Sequence, residues 1–96
     1  MKVVYHPTVQ KDVNGILRHY DEISPSLGDE FWSELMAQIK AATQNPERFH
    51  FGASGLRRVN LRKFPYHFLF RAMLGFIRIT VVRHHKRHPR FGLSRR

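Results

Sequence analysis

Apolar residues in this chain recur every three or four positions up to Asn45 and every second position from Leu56 onward. A period near 3.6 writes a helix and a period of 2 writes a half-buried strand, so the switch confines the chain to helices first and a sheet after. Val9, Val13, Ile16, Leu17 and Tyr20 form one helical stripe, opened by His6-Pro7 and closed by Ser24-Pro25. Gly15 weakens this helix by about 1 kcal/mol relative to Ala, which predicts a close neighbouring helix there. A second helix is expected from Ser26, with Asp29 in capping-box position and a stripe of Leu27, Phe31, Leu35 and Ile39, flanked by Trp32 and Met36. Asn45-Pro46 ends it.

Beyond the loop Gly52–Gly55, Val59 and Leu61 alternate with Arg58, Asn60 and Arg62. Tyr66, Phe68 and Phe70 alternate with His67, Leu69 and Arg71, and Met73-Leu74-Gly75 suits a hairpin turn. Ile77, Ile79 and Val81 alternate with Arg78, Thr80 and Val82, running on to His84. With the short β-branched run Lys2–Tyr5 in front, the order is β-α-α-β-β-β. The expectation is an α+β domain over residues 1–96, its helical hairpin packed on one face of an antiparallel sheet, with 89–96 a flexible basic tail. Parity assigns Tyr66, Phe68 and Phe70 to the core in preference to a base-stacking platform. It assigns Arg58, Asn60, Arg62, His67, Arg71, Arg78, Thr80 and His84 to the other, wet face.

Charge follows the same division. Residues 1–47 carry seven carboxylates against four Lys or Arg, a net of −3, whereas residues 48–96 carry thirteen Lys or Arg and no carboxylate, a net of +13. A folded surface normally mixes both signs, because a single-sign field repels itself. Segregation this complete predicts a polyanionic or acidic partner for the second half. The chain has no cysteine, which excludes disulfides and thiolate metal sites. No apolar run reaches the roughly 18 residues of a membrane span, and no signal-peptide pattern opens the chain, so a cytoplasmic location is expected.

The densest feature is Arg83-His84-His85-Lys86-Arg87-His88. No carboxylate or thiolate lies near it and the surrounding cations would oppose an ion, so neither a metal nor another cofactor is expected. Two uses remain. RNA cleavage needs a base, an acid and cations around a pentavalent phosphate, for which His84, His85 and Arg83 are the candidates. Nearby Lys and Arg would depress the histidine pKa values and keep a neutral base available near neutrality. Alternatively the cluster is plain phosphate-binding charge, and spacing does not choose between the two. Arg58, Arg62, Arg71, Arg78, His84, Lys86 and Arg87 are the candidates for contact with a target or a nucleic acid.

The stretch from Gly55 to Arg71, with Arg62-Lys63-Phe64-Pro65-Tyr66 followed by Phe70-Arg71, resembles the RelE/ParE superfamily of type II toxin–antitoxin toxins. The ending Val82-Arg83-His84-His85-Lys86-Arg87-His88-Pro89 is similar to that family's closing motif. Phe-Pro-Tyr and the His84, Arg87, Pro89 spacing resemble the ParE-like branch more than the RelE-like one. The resemblance implies a small growth-arresting toxin of β-α-α-β-β-β fold, held in a hetero-oligomer by a cognate antitoxin with an acidic or amphipathic segment. It implies a functional surface at Arg58, Arg62, Arg71 and His84. Three positions depart from the pattern: His88 stands where an acidic residue is usual, Val81 where a cation is usual, and no Tyr follows Tyr66. Two modes of action stay open, a ParE-like inhibitor of DNA gyrase and a RelE-like, metal-independent endoribonuclease acting on ribosome-bound mRNA. A third possibility is a non-toxic basic binding module of the same fold.

Overall fold

The computed structural model describes residues 1–52 and 54–96. The elements in order are β1 (Lys2–Tyr5), α1 (Val9–Ile23), α2 (Pro25–Gln44), β2 (Arg57–Asn60), β3 (Tyr66–Met73) and β4 (Phe76–His84). The sheet order is β1-β4-β3-β2. Strands β2, β3 and β4 form the expected antiparallel meander, with Gly75 at φ 85° supplying the left-handed position of the β3–β4 turn. β1, expected in an antiparallel sheet, instead pairs with β4 in parallel, Val3 opposite Ile77 and Tyr5 opposite Ile79. The sheet is therefore mixed. The two helices and the loop after them carry the chain from β1 at one edge of the sheet to β2 at the other, and the β2-β3-β4 meander then returns to place β4 beside β1.

The helical hairpin covers one face, as the stripes predict. Val9, Val13 and Ile16 of α1 and Phe31, Leu35, Ile39 and Ala42 of α2 are buried against Val59, Phe68, Phe70, Ile77 and Ile79 of the sheet. The ring of Phe31 meets Phe64 at 5.4 Å and Tyr66 at 5.5 Å, both near perpendicular. Such edge-to-face pairs add about 0.5–1.5 kcal/mol each beyond the area they bury. Phe64 and Tyr66 thus close the core, which is how the aromatic residues are used.

Local details differ from the sequence expectation at both helices. α2 begins one residue earlier, at Pro25; Ser24 ends α1 through its N–H to the Tyr20 carbonyl and is also the N-cap of α2. The Asp29 capping box is not formed: no side chain bonds the cap, and the Ser24 hydroxyl pairs with that of Ser26 at 2.9 Å. Pro25 explains the shift, since its fixed φ suits the first helical turn and its missing N–H needs no partner. Nor does Gly15 mark helix contact, because a Cβ there would meet nothing within 4 Å. Close approach occurs at Gly28, where a Cβ would fall 2.0 Å from the Asp21 carboxylate.

A bulge interrupts the β3–β4 ladder. Leu69 pairs with Val81 but Phe70 pairs with Ile79, leaving Thr80 as an extra residue on β4. Each residue added to one strand swaps the facing of everything beyond it. Ile77 and Ile79 therefore face the helices, and after the bulge so do Val82 and His84, while Val81 and Arg83 turn to the opposite face. Thr80, expected on the wet face, is fully buried.

The opposite face is not uniformly wet either. Leu56, Leu69 and Val81 form a second apolar cluster, covered by Phe91 and Leu93. The segment 89–96, expected to be a flexible tail, lies across the sheet. Gly92 has φ 81° and sits so near Val81 that a Cβ would fall 2.6 Å from Val81 Cγ2. Two apolar residues around a glycine able to adopt positive φ let this stretch press onto a patch that would otherwise face water.

Candidate functional site

The sequence-predicted cationic residues do not gather at one place. At one end of the tail-covered face, β2 supplies Arg58 and Asn60, β3 supplies His67, and the end of β4 supplies Arg83 and His85. Arg58, Asn60 and His67 share that face by strand parity, and Arg83 joins them because the bulge has turned it over. Further along the sheet, Arg71 and Arg78 are directly opposed across β3 and β4. Like charges opposite one another repel, and Arg78 turns its guanidinium to the Arg96 carbonyl, its Nε donating at 2.9 Å. His84 lies apart from both, on the helix side, with its ring 4.9 Å from that of Tyr66. Lys86 is exposed, and Arg87 stacks over Phe91 at 4.0 Å. Arg62 is exposed in the turn after β2, where Glu34 of α2 accepts its backbone N–H and that of Lys63.

The first group forms a continuous network whose bond directions can be deduced. Arg83 Nε lies 2.9 Å from His67 Nε2, and arginine can only donate. His67 Nε2 must accept, so the neutral ring carries its proton on Nδ1. That Nδ1 is 2.9 Å from His85 Nδ1, which must accept in turn, with the rings stacked at 5.1 Å. Arg58 Nη2 leans on the same His85 nitrogen at 3.3 Å, while Arg58 Nε donates to Asn60 Oδ1 at 2.8 Å. His85 in its neutral form therefore holds its proton on Nε2, the one ring nitrogen left over for a partner.

His67 is only 1% exposed. It was expected on the wet face; the His85 ring and the Arg83 side chain cover it. Burial first, then the Arg58 and Arg83 guanidiniums, hold its pKa down to about 3. His85 is depressed as well, by burial and then by Arg58 and His84. Burial and Arg58 also lower Arg83 from the ordinary arginine value. Arg83 is further fixed by Nη1 bonds of 2.8 Å to the Pro89 and Phe91 carbonyls, which tie the segment 89–96 to this network.

The Nδ1 atoms of both histidine candidates, His84 and His85, are thus engaged. His85 Nδ1 is taken by His67, and His84 Nδ1 accepts the Lys86 N–H at 3.0 Å. What the cluster presents outward is a set of donors: the Arg58 guanidinium, the His85 Nε2–H and the Lys86 ammonium. It suits anionic acceptors, carboxylate or phosphate, better than removal of a proton from a substrate hydroxyl. Among the described residues, no group of three or more His, Asp or Glu could hold a metal ion.

Sequence reasoning missed two features. From Thr80 onward β4 has no strand beside it on the β1 side, because β1 stops opposite Ile79. Asp12 of α1 fills part of that gap, accepting the Val82 N–H at 3.1 Å, and Arg95 donates to the Thr80 carbonyl at 3.1 Å. The second is an apolar groove of about 380 Å³ between α1, α2 and the end of β1, lined by Tyr5, Val9, Val13, Trp32, Met36 and Ile39. Trp32 and Tyr5, each 45% exposed, rim it. Large apolar residues left outside the helical stripes, Trp32 above all, were the available signal.

No family model matches the chain, and no curated protein matches it. Solved structures do. A chain of the chromosomal ParDE TA system from P. aeruginosa superposes with a TM-score of 0.75 at 20% sequence identity, over 88% of this chain and 95% of that one. At this identity the likeness is one of fold. Two helices on one face of a four-stranded sheet, in the order β-α-α-β-β-β, is the α+β architecture that the resemblance implied. No helix among the described residues is long and apolar enough to cross a membrane.

Proposed function

We propose that this chain is the toxin of a type II toxin–antitoxin module, a ParE-like growth inhibitor that binds DNA gyrase and is neutralised by a cognate antitoxin. The observation that carries the proposal is the near-complete overlap of its fold with a chain of a ParDE system. The donor-only cluster at Arg58, His85 and Lys86 supports a binding mode of action, since a protein inhibitor needs complementary contacts and no proton transfer. The RelE-like alternative loses support for the same reason, because the ring nitrogens that would act as base are spent inside the chain.

The antitoxin's amphipathic segment has a matching surface in the groove beneath Trp32 and Tyr5, and its acidic residues would meet the uncompensated cations of residues 48–96. A soluble cytoplasmic protein held in a toxin–antitoxin hetero-oligomer follows from this assignment. Inducing the chain alone and comparing DNA, RNA and protein synthesis over the first minutes tests it. An early fall in DNA synthesis, with purified protein blocking gyrase supercoiling, is the expected result. An early fall in translation with intact supercoiling would instead select the ribonuclease, and unimpaired growth would remove both.

A further inference from the structure

The bulge at Thr80 turns His84 away from the Arg58 network and into a second depression on the helix side of the sheet. This groove, of about 470 Å³, runs between α1 and the unpaired edge of β4. Its volume is within the range of about 300–1,000 Å³ typical of small-molecule clefts. Charge lines it unevenly. Four Lys or Arg and one carboxylate border it, and the carboxylate, Asp12, is already engaged by Arg95 and the Val82 N–H. Arg95 is thereby neutralised, and Arg83 is spent on His67 and two backbone carbonyls.

Lys11 and Arg87 remain, both exposed and neither with a carboxylate partner among the described residues. His84 adds a donor: its Nδ1 is occupied by the Lys86 N–H, so its neutral form carries the proton on Nε2. Apart from Thr8, the rest of the lining is mainly apolar or bare, with Ile16, Tyr66 and Phe91 as walls. Gly15 belongs here. A Cβ at this position would meet nothing, so its absence leaves α1 a smooth flank facing the groove.

Two unpaired cations and an imidazole N–H beside an apolar, side-chain-free wall match a ligand with a compact dianion at one end and a flat apolar body at the other. We propose that the groove between α1 and β4 binds a nucleoside monophosphate, its phosphate on Lys11, Arg87 and His84 and its base against Gly15, Ile16 and Tyr66. The same chemistry is offered by a free nucleotide and by the 5′-phosphorylated end of a strand. The site meets the Arg58 network only through Arg83 and does not depend on the chain being a toxin.

Isothermal titration calorimetry with AMP, adenosine, inorganic phosphate and a 5′-phosphorylated trinucleotide tests this. AMP is expected to bind with one site per chain, adenosine and phosphate each more weakly. Lys11→Gln and Arg87→Gln should each weaken AMP about tenfold or more, as expected for loss of a charge-assisted contact, while Lys40→Gln, which removes the same charge from α2, should not. Tighter binding of the trinucleotide than of AMP identifies a strand end as the ligand, and weaker or equal binding identifies the free nucleotide. The Gly15 amide resonance should shift on titration with AMP. Absence of AMP binding at millimolar nucleotide overturns the proposal. So does equal weakening in all three variants, which would mean attraction to net charge alone.

Discussion

Asp12 and Arg95, 83 positions apart in sequence, form a two-pronged ion pair of 2.6 and 3.1 Å, the one salt bridge among the described residues. It joins α1, from the acidic part of the chain, to the segment that crosses the basic face. Both side chains are largely removed from water, Arg95 at 12% and Asp12 at 6% exposure. Asp12 also holds the Val82 N–H and Arg95 the Thr80 carbonyl, so the pair substitutes for the missing strand beside the end of β4.

Asp12→Asn is therefore expected to destabilise the protein by about 1–3 kcal/mol, since it leaves the Arg95 cation partly buried without its counter-charge. Urea unfolding at neutral pH measures this. A loss below about 0.5 kcal/mol would class the pair with ordinary surface ion pairs.

Gly92→Ala is expected to cost about 1–3 kcal/mol, from a left-handed backbone angle combined with a Cβ driven into Val81. Val81→Ala should relieve only the second contribution. A double-mutant cycle by urea unfolding should then give a coupling energy clearly different from zero. Strict additivity would mean that segment 89–96 does not press on β4 in solution.

Stability should fall in acid because of His67. Its folded pKa of about 3 lies below the ordinary 6.5, so the unfolded chain takes up a proton first. Its contribution is fully present above pH 6.5 and is lost as pH falls from there toward 3, at up to about 1.4 kcal/mol per unit. His67→Gln keeps an acceptor for Arg83 and a donor for His85 without a titrating group. Urea midpoints at several pH values should follow a flatter curve in this variant. An unchanged slope would place the acid sensitivity elsewhere.

Glu34→Gln should weaken the turn after β2. The carboxylate receives two backbone N–H groups, those of Arg62 and Lys63, and a charged acceptor holds such bonds more strongly than an amide. The expected loss is about 1 kcal/mol in thermal or urea unfolding, with faster hydrogen exchange at both amides. Exchange unchanged at Arg62 and Lys63 would contradict the contact.

Much of the fold was legible because period and punctuation agreed. Val9, Val13 and Ile16 lie where the helical stripe puts them, and Phe68, Phe70, Ile77 and Ile79 where strand alternation does. The β3–β4 turn followed from Leu74-Gly75. The bulge was not legible, since Thr80, Val81 and Val82 are all β-branched and both valines are apolar, so either facing fits the pattern. That single ambiguity carried His84 to the wrong face. The pairing of β1 with β4 depends on where a long crossover lands, and no residue in Lys2–Tyr5 encodes it. Phe91 and Leu93 were hidden among arginines, which read as solvated charge. The burial of His67 arises from contacts with Arg83 and His85, 16 and 18 positions away, which alternation cannot convey.

Thr80 acts as a phase shifter between two chemistries. Ahead of it the odd-numbered side chains of β4 face the helices and behind it the even-numbered ones do, which is why His84 lies on the helix side and Arg83 on the other. Substitutions can retune either surface while leaving the other alone, which gives selection two independent dials on one short strand. Deleting Thr80 would restore unbroken pairing of β4 with β3 while leaving Val81 and Arg83 on the tail side and Val82 and His84 on the helix side.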